Sequence, residues 1–254
     1  MDDIEKIQND ILDLAYETFS CIKAEEWFSF PLIPRISNEY FNNRMVVLGQ
    51  ETNSWLGHFQ NSEQRQVYDD CLNGYDSFVK DKVLSYRGKF WAFSRNLYKD
   101  VLNGNICENG RLSHCWMNLF CVEQCPRNGK TKKGKPSQDR KLAEQVIAIQ
   151  KDFVYQVMKL IRPRVILALI GNRNDDIFAK YALGVDYGCI DRSPLNFAFG
   201  EKQLAKFKVQ DKSNPLHETL IIRAYHPSYF MGRMKGDKSS YQKLIYQTVK
   251  DFLK

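Results

Sequence analysis

The chain has 254 residues, 43% of them apolar, and a formal net charge of +7. That is enough apolar material for a buried core, and too small a charge excess to mark a nucleic-acid-binding protein on its own. No run of about 18 apolar residues is present, and the acidic start Met1-Asp2-Asp3-Ile4-Glu5 lacks the basic, then apolar, form of a secretion signal. The expectation is a cytoplasmic monomer without membrane contact.

Apolar residues at Ile4, Ile7, Ile11, Leu12, Leu14 and Ala15 predict an amphipathic helix, within a helical extension over 1–40. "FPLIPRISNEYF" then leads to a strand at Met45–Leu48. In "MVVLGQETNSW" (45–55) that strand breaks off into Gln50-Glu51-Thr52-Asn53-Ser54. Helices are predicted near 63–71 and over 88–102. In the second, Phe90, Trp91, Phe93 and Leu97 share one face, which reads as core, with Phe90, Trp91 or Trp55 left as candidates to stack on a ligand. Three further apolar runs follow: "CWMNLF" (115–120), "RVILALIG" (164–171) and "TLIIRAYHP" (219–227). Between the first two, a long helix is predicted from Ser137, as N-cap, to Ile161, stopped by Arg162-Pro163. A last helix covers 239–253.

Val165 to Ile170 lacks alternation, as strands buried on both faces do. Strands separated by helices predict a three-layer α/β/α sandwich around a mostly parallel, four-stranded central sheet, as a single domain over 1–254. Neither an internal repeat nor a linker is visible.

Seven cysteines form an odd set. Cys107, Cys115, Cys121 and Cys125 lie close in sequence but without a C-x-x-C pair, so reduced thiols are expected, with no metal and no cofactor. The stretch "RNGKTKKGKP" (127–136) holds five cations and no acid. It reads either as a solvated loop or as a phosphate contact through Lys130, Lys132 and Lys133.

In open α/β sheets, sites lie beyond the carboxyl ends of the strands. That edge collects Gln50 and Glu51, then Asn118, then His226-Pro227-Ser228. No G-x-G-x-x-G follows the first strand, and G-x-x-x-x-G-K-[ST], G-x-S-x-G and H-E-x-x-H are absent. Dinucleotide enzymes, P-loop NTPases, α/β-hydrolases and zincins are thereby disfavoured. Each residue also has an ordinary role: Glu51 as a turn or cap, Asn118 as a backbone partner, His226 as a structural imidazole.

With "VVLGQET" (46–52), Asn118 in "WMNLF", "VILALIG" and "YHPSYFMGR" (225–233), the chain resembles the uracil-DNA glycosylase superfamily. The resemblance implies hydrolysis of the N-glycosidic bond of uracil or a related damaged base in DNA after base flipping. Glu51 takes the place of the family's carboxylate and His226 that of its histidine, as catalytic residues, while Gln50 and Asn118 bind the base. Ser228 and Arg233 fall at DNA-contacting positions, and Phe230 at that of the apolar wedge. Thr52 and Asn53 stand where the best-known branch has proline and tyrosine, and Glu51 is one methylene longer than its aspartate. Two other readings stay open on the same scaffold: a nucleic-acid-binding protein without catalysis, and a hydrolase of free nucleosides or small metabolites.

Overall fold

The structure is a computed structural model that describes residues 2–51, 55–102, 104–108, 110–126, 134–233 and 237–254. Its first strand, β1 (Met45–Gly49), is buried at all five positions. A two-stranded hairpin, β2 (Cys107–Glu108) with β3 (Arg111–Leu112), precedes β4 (Cys115–Asn118). β5 (Val165–Ala168), β6 (Ile190–Pro194), β7 (Leu204–Val209) and β8 (Leu220–Ala224) follow. The main sheet has the order β4-β1-β5-β8-β7-β6, parallel through β8 and antiparallel at its last two pairings. Six strands therefore replace the four expected.

The two additional strands were illegible as apolar runs for a physical reason. β7 alternates, with Lys206 and Lys208 outside and Phe207 and Val209 inside, and the edge strand β6 is polar from Asp191 to Ser193. Charges on an edge keep it from pairing with another chain, and they also hide it from a search for hydrophobic stretches.

Helices cover both faces. Val46, Leu48, Met117, Ile166 and Ile221 pack under α1 (Asp2–Phe19), α5 (Arg140–Gln150), α6 (Phe153–Ile161) and α7 (Asp175–Ala182). Val47, Trp116, Leu167 and Ile222 pack under α3 (Gln66–Asp81), α4 (Lys89–Leu97) and α9 (Lys238–Leu253). The short α2 (Asn38–Asn43) and α8 (Gly200–Gln203) sit before β1 and before β7. Ile11, Leu12, Ala15 and Phe19 of α1 are core residues. The single helix expected over 137–161 is two helices. Lys151 adopts φ 46° and ends α5, and the N-cap of that helix is Asp139, whose side chain accepts from the Lys141 and Leu142 N–H groups.

Register places the site. Gly49 lies opposite Asn118, Leu48 opposite Ala168, and Ala168 opposite Arg223, so the parallel strands end on one edge. Hydrogen bonds continue past those ends: Leu119 N–H donates to Gly49 O, Phe120 N–H to Gln50 O, and Gly171 N–H to Ala224 O, each at 2.9 Å. The chain leaving each strand is thus held in place before it turns away. Among the described residues no helix is long and apolar enough to cross a membrane.

Candidate functional site

Beyond that edge lies a cavity of about 1220 Å³, to which Gln50, Glu51, Asn118, Lys135, His226 and Ser228 contribute. β1 delivers the first two. The Gln50 side chain donates to Ile170 O (2.7 Å), which ties the start of the polar segment to the chain leaving β5. Gly49 is required for close approach: a Cβ there would run into the Asn118 amide oxygen.

Glu51 is held but not satisfied. Its side chain is 8% exposed; Oε1 lies 3.7 Å from Lys135 Nζ, and Oε2 is buried without a hydrogen-bond partner. Asn118, buried on β4, likewise leaves Nδ2 unpaired, and so does Ser137 with its Oγ. Buried polar atoms without partners are uncommon in folded proteins, because each forfeits its hydration without replacement. Several on one cavity wall fit a ligand that supplies both donors and acceptors.

His226 completes the set with a defined proton. The Ser228 N–H donates to its Nδ1 (3.2 Å), so the neutral imidazole carries its hydrogen on Nε2. Burial, aided by the Lys135 charge, lowers its pKa from 6.5 to about 4. The ring is therefore a neutral donor at ordinary pH. Phe90, at the start of α4, lies nearly parallel to it (centroids 6.1 Å apart, 19°) and also lines the cavity. Trp55, Trp91 and Trp116 join one buried aromatic cluster behind Phe90.

Glu51, His226, Gln50 and Asn118 are thus brought together, with Ser228 exposed at the lip. Phe230 is not at the lip. It is 0% exposed and packs on Phe93 (5.4 Å) and Tyr241 (4.9 Å), so the wedge assignment is corrected. The turn over Tyr229–Arg233 is a π-helical one, and it is Tyr229, 42% exposed, that faces outward. The spacing after His-Pro-Ser does not reveal which of two adjacent aromatics a wound turn buries. Lys130, Lys132 and Lys133, and the side chain of Arg233, lie outside the described residues.

Lys135 is placed differently from its sequence reading. It comes from the cation-rich stretch, yet it enters the cavity and pairs with Glu51. The pairing joins residues far apart in the chain, so spacing in the sequence carries no signal of it. Among the described residues, no group of three or more His, Cys, Asp or Glu is placed to hold a metal ion. Cys115 and Cys121 are buried free thiols with pKa values pushed up by burial, and Cys125 is buried as well.

Fold and site together define an α/β protein with a polar, partly aromatic cavity at the carboxyl edge of a mostly parallel sheet. No family model matches the chain, and no curated protein is significantly similar to it.

Proposed function

We propose that this protein is a DNA glycosylase that hydrolyses the N-glycosidic bond of uracil or a related damaged base flipped into the cavity. The observation that carries the reading is that Glu51 Oε2 and Asn118 Nδ2, both unpaired, share one cavity with a neutral His226. The four parallel strands, in the order β4-β1-β5-β8 with helices on both faces, support a glycosylase-like three-layer α/β/α sandwich. On this view β7 and β6 are an antiparallel addition.

As the bond between C1′ and the base nitrogen breaks, its electron pair leaves with the base and positive charge gathers on the sugar. His226 Nε2–H donates to the base oxygen that gains negative charge, a contact that strengthens in the transition state. Asn118 presents an amide to the base edge and Phe90 a ring to its face. Glu51 faces the sugar cation and accepts a proton from the water whose oxygen bonds to C1′. Lys135 holds Oε1, leaving Oε2 for that water. The products are the free base and an abasic sugar, and the proton passes finally to the base.

Oligonucleotides carrying uracil, hypoxanthine, xanthine or an oxidised pyrimidine test this by alkaline cleavage at abasic sites. Release of one of these bases is expected, with Glu51→Gln and His226→Ala each slower by about 10²-fold or more. If the wild-type protein releases none of them, the claim is removed. The departures at Thr52 and Asn53 favour a second reading, binding without catalysis, which predicts salt-sensitive binding and no product.

A further inference from the structure

The turn between β6 and β7 carries an aromatic side chain that the site above does not use. Phe197 is 94% exposed. Leu204 pairs with Ala224, so this turn sits at the carboxyl end of β8, the edge from which His226 departs. Within it, the Ala198 N–H donates to Asn196 Oδ1 (2.8 Å) and the Phe199 N–H to Asn196 O (3.1 Å). This Asx-type turn holds Phe197 at its apex.

The apex is also anchored. Phe199 packs edge-on against Tyr241 (5.1 Å). The Tyr241 hydroxyl donates to Gln203 O (2.7 Å) and accepts from the Tyr225 N–H (3.2 Å), one residue before His226. Phe199, two residues on from Phe197, is therefore tied through Tyr241 to the backbone just before His226.

Covering an exposed phenylalanine removes apolar surface from water, so a contact that does so is favoured. Its neighbours select the partner. Asn196, Ala198 and Lys202 beside it are exposed, so one ring stands alone rather than in an apolar patch of the size a protein interface needs. Tyr229 and the exposed cation Arg173 line the cavity that opens at this same edge of the sheet. Aromatic rings and cations along one edge are what unpaired bases on a phosphate backbone require.

We propose that Phe197 is a stacking platform for a second nucleobase of the strand that delivers its base to the cavity, which makes the partner a strand with unpaired bases. This rests on the nucleic-acid part of the function proposed above and not on its chemistry. Paired bases in a duplex offer no free face to the ring.

The test is fluorescence anisotropy with labelled oligothymidylates of about 4 and about 16 nucleotides, the span of single-strand site sizes. The wild-type protein is expected to bind the longer one more tightly. Phe197→Ala should weaken the longer one at least about five-fold while leaving the shorter unchanged, and Phe197→Trp should retain it. Equal binding of the longer strand by Phe197→Ala and wild type overturns the proposal. So does an equal loss on a blunt duplex of the same length, or no binding by the wild type at low salt. Base release is measured separately, so a Phe197 effect without product removes the glycosylase reading alone.

Discussion

Two phenylalanines stand at opposite ends of the exposure range, Phe230 at 0% and Phe197 at 94%. Phe230→Ala empties a site lined by Phe93 and Tyr241 and is expected to cost about 3–5 kcal/mol in urea unfolding. Phe197→Ala touches no core and should stay within about 0.5 kcal/mol; similar losses in both would contradict the assignment of their sides. His226 gives a prediction in pH. Its folded pKa, about 4, lies below the ordinary 6.5. The stability it contributes is therefore full above pH 6.5 and is lost as pH falls toward 4. Its Nε2–H remains a neutral donor through that window, so no step at 6.5 from this ring is expected in the acid limb of base release. Nitrogen NMR of the ring should show a midpoint near 4, and Lys135→Gln should raise it by removing a neighbouring positive charge. A midpoint that ignores Lys135 would separate this lysine from the site. Glu51, Asn118 and His226 were legible because each ends a buried strand and strand ends define the edge. Lys135 was not, because its pairing with Glu51 bridges residues remote in sequence.

At the level of elements, the addition of β7 and β6 is fastened by a buried ion pair. Arg223 on β8 lies 2.9 Å from Asp175 at the start of α7 and donates to the Glu201 and Lys202 carbonyls of α8. One guanidinium thus joins the parallel sheet, a covering helix and the antiparallel strands. Burial raises the Asp175 pKa to about 6 although Arg223 opposes the rise. Folding consequently takes up a proton between the ordinary value of 3.8 and about 6, so this group's contribution is greatest below 3.8 and fades as pH rises through 6. Asp175→Asn cannot take up that proton. The wild type should gain thermal stability relative to this variant as pH is lowered from neutrality, and a difference constant in pH would refute the linkage. Arg223→Met leaves Asp175 buried and unpaired, with a loss of about 3–5 kcal/mol expected. Sequence patterning shows β1, β5 and β8 plainly, since strands covered on both faces are uninterrupted apolar runs. It conceals β6 and β7, which meet solvent along one side, and the break at Lys151, where neither glycine nor proline marks the turn.

For the molecule as a whole, charge governs how a polyanion approaches. A net charge of +7 spread evenly would do little, but exposed Lys82, Lys89 and Arg173 border the cavity, and the stretch 127–135 adds five cations in sequence. Lys135 is the member of that stretch committed to Glu51, and of the four cations left, Lys130, Lys132 and Lys133 are the lysines, with no catalytic task in the proposed reaction. Replacing these three with glutamine separates attraction from chemistry. If each meets a phosphate, the slope of log affinity against log salt should shrink by up to about 2, at about 0.7 per contact on a single strand. Base preference should not change, because none of the three has a contact to the base in the proposed reaction. Lys135→Gln is expected to behave differently, altering base release at saturating substrate along with affinity, since it frees Glu51 Oε1. Titrations of one labelled oligothymidylate at several salt concentrations, together with base release at saturating substrate, run on both variants, distinguish the two roles. An unchanged slope in the triple variant would mean that the cation-rich stretch is solvated and that the charges bordering the cavity alone draw the strand in.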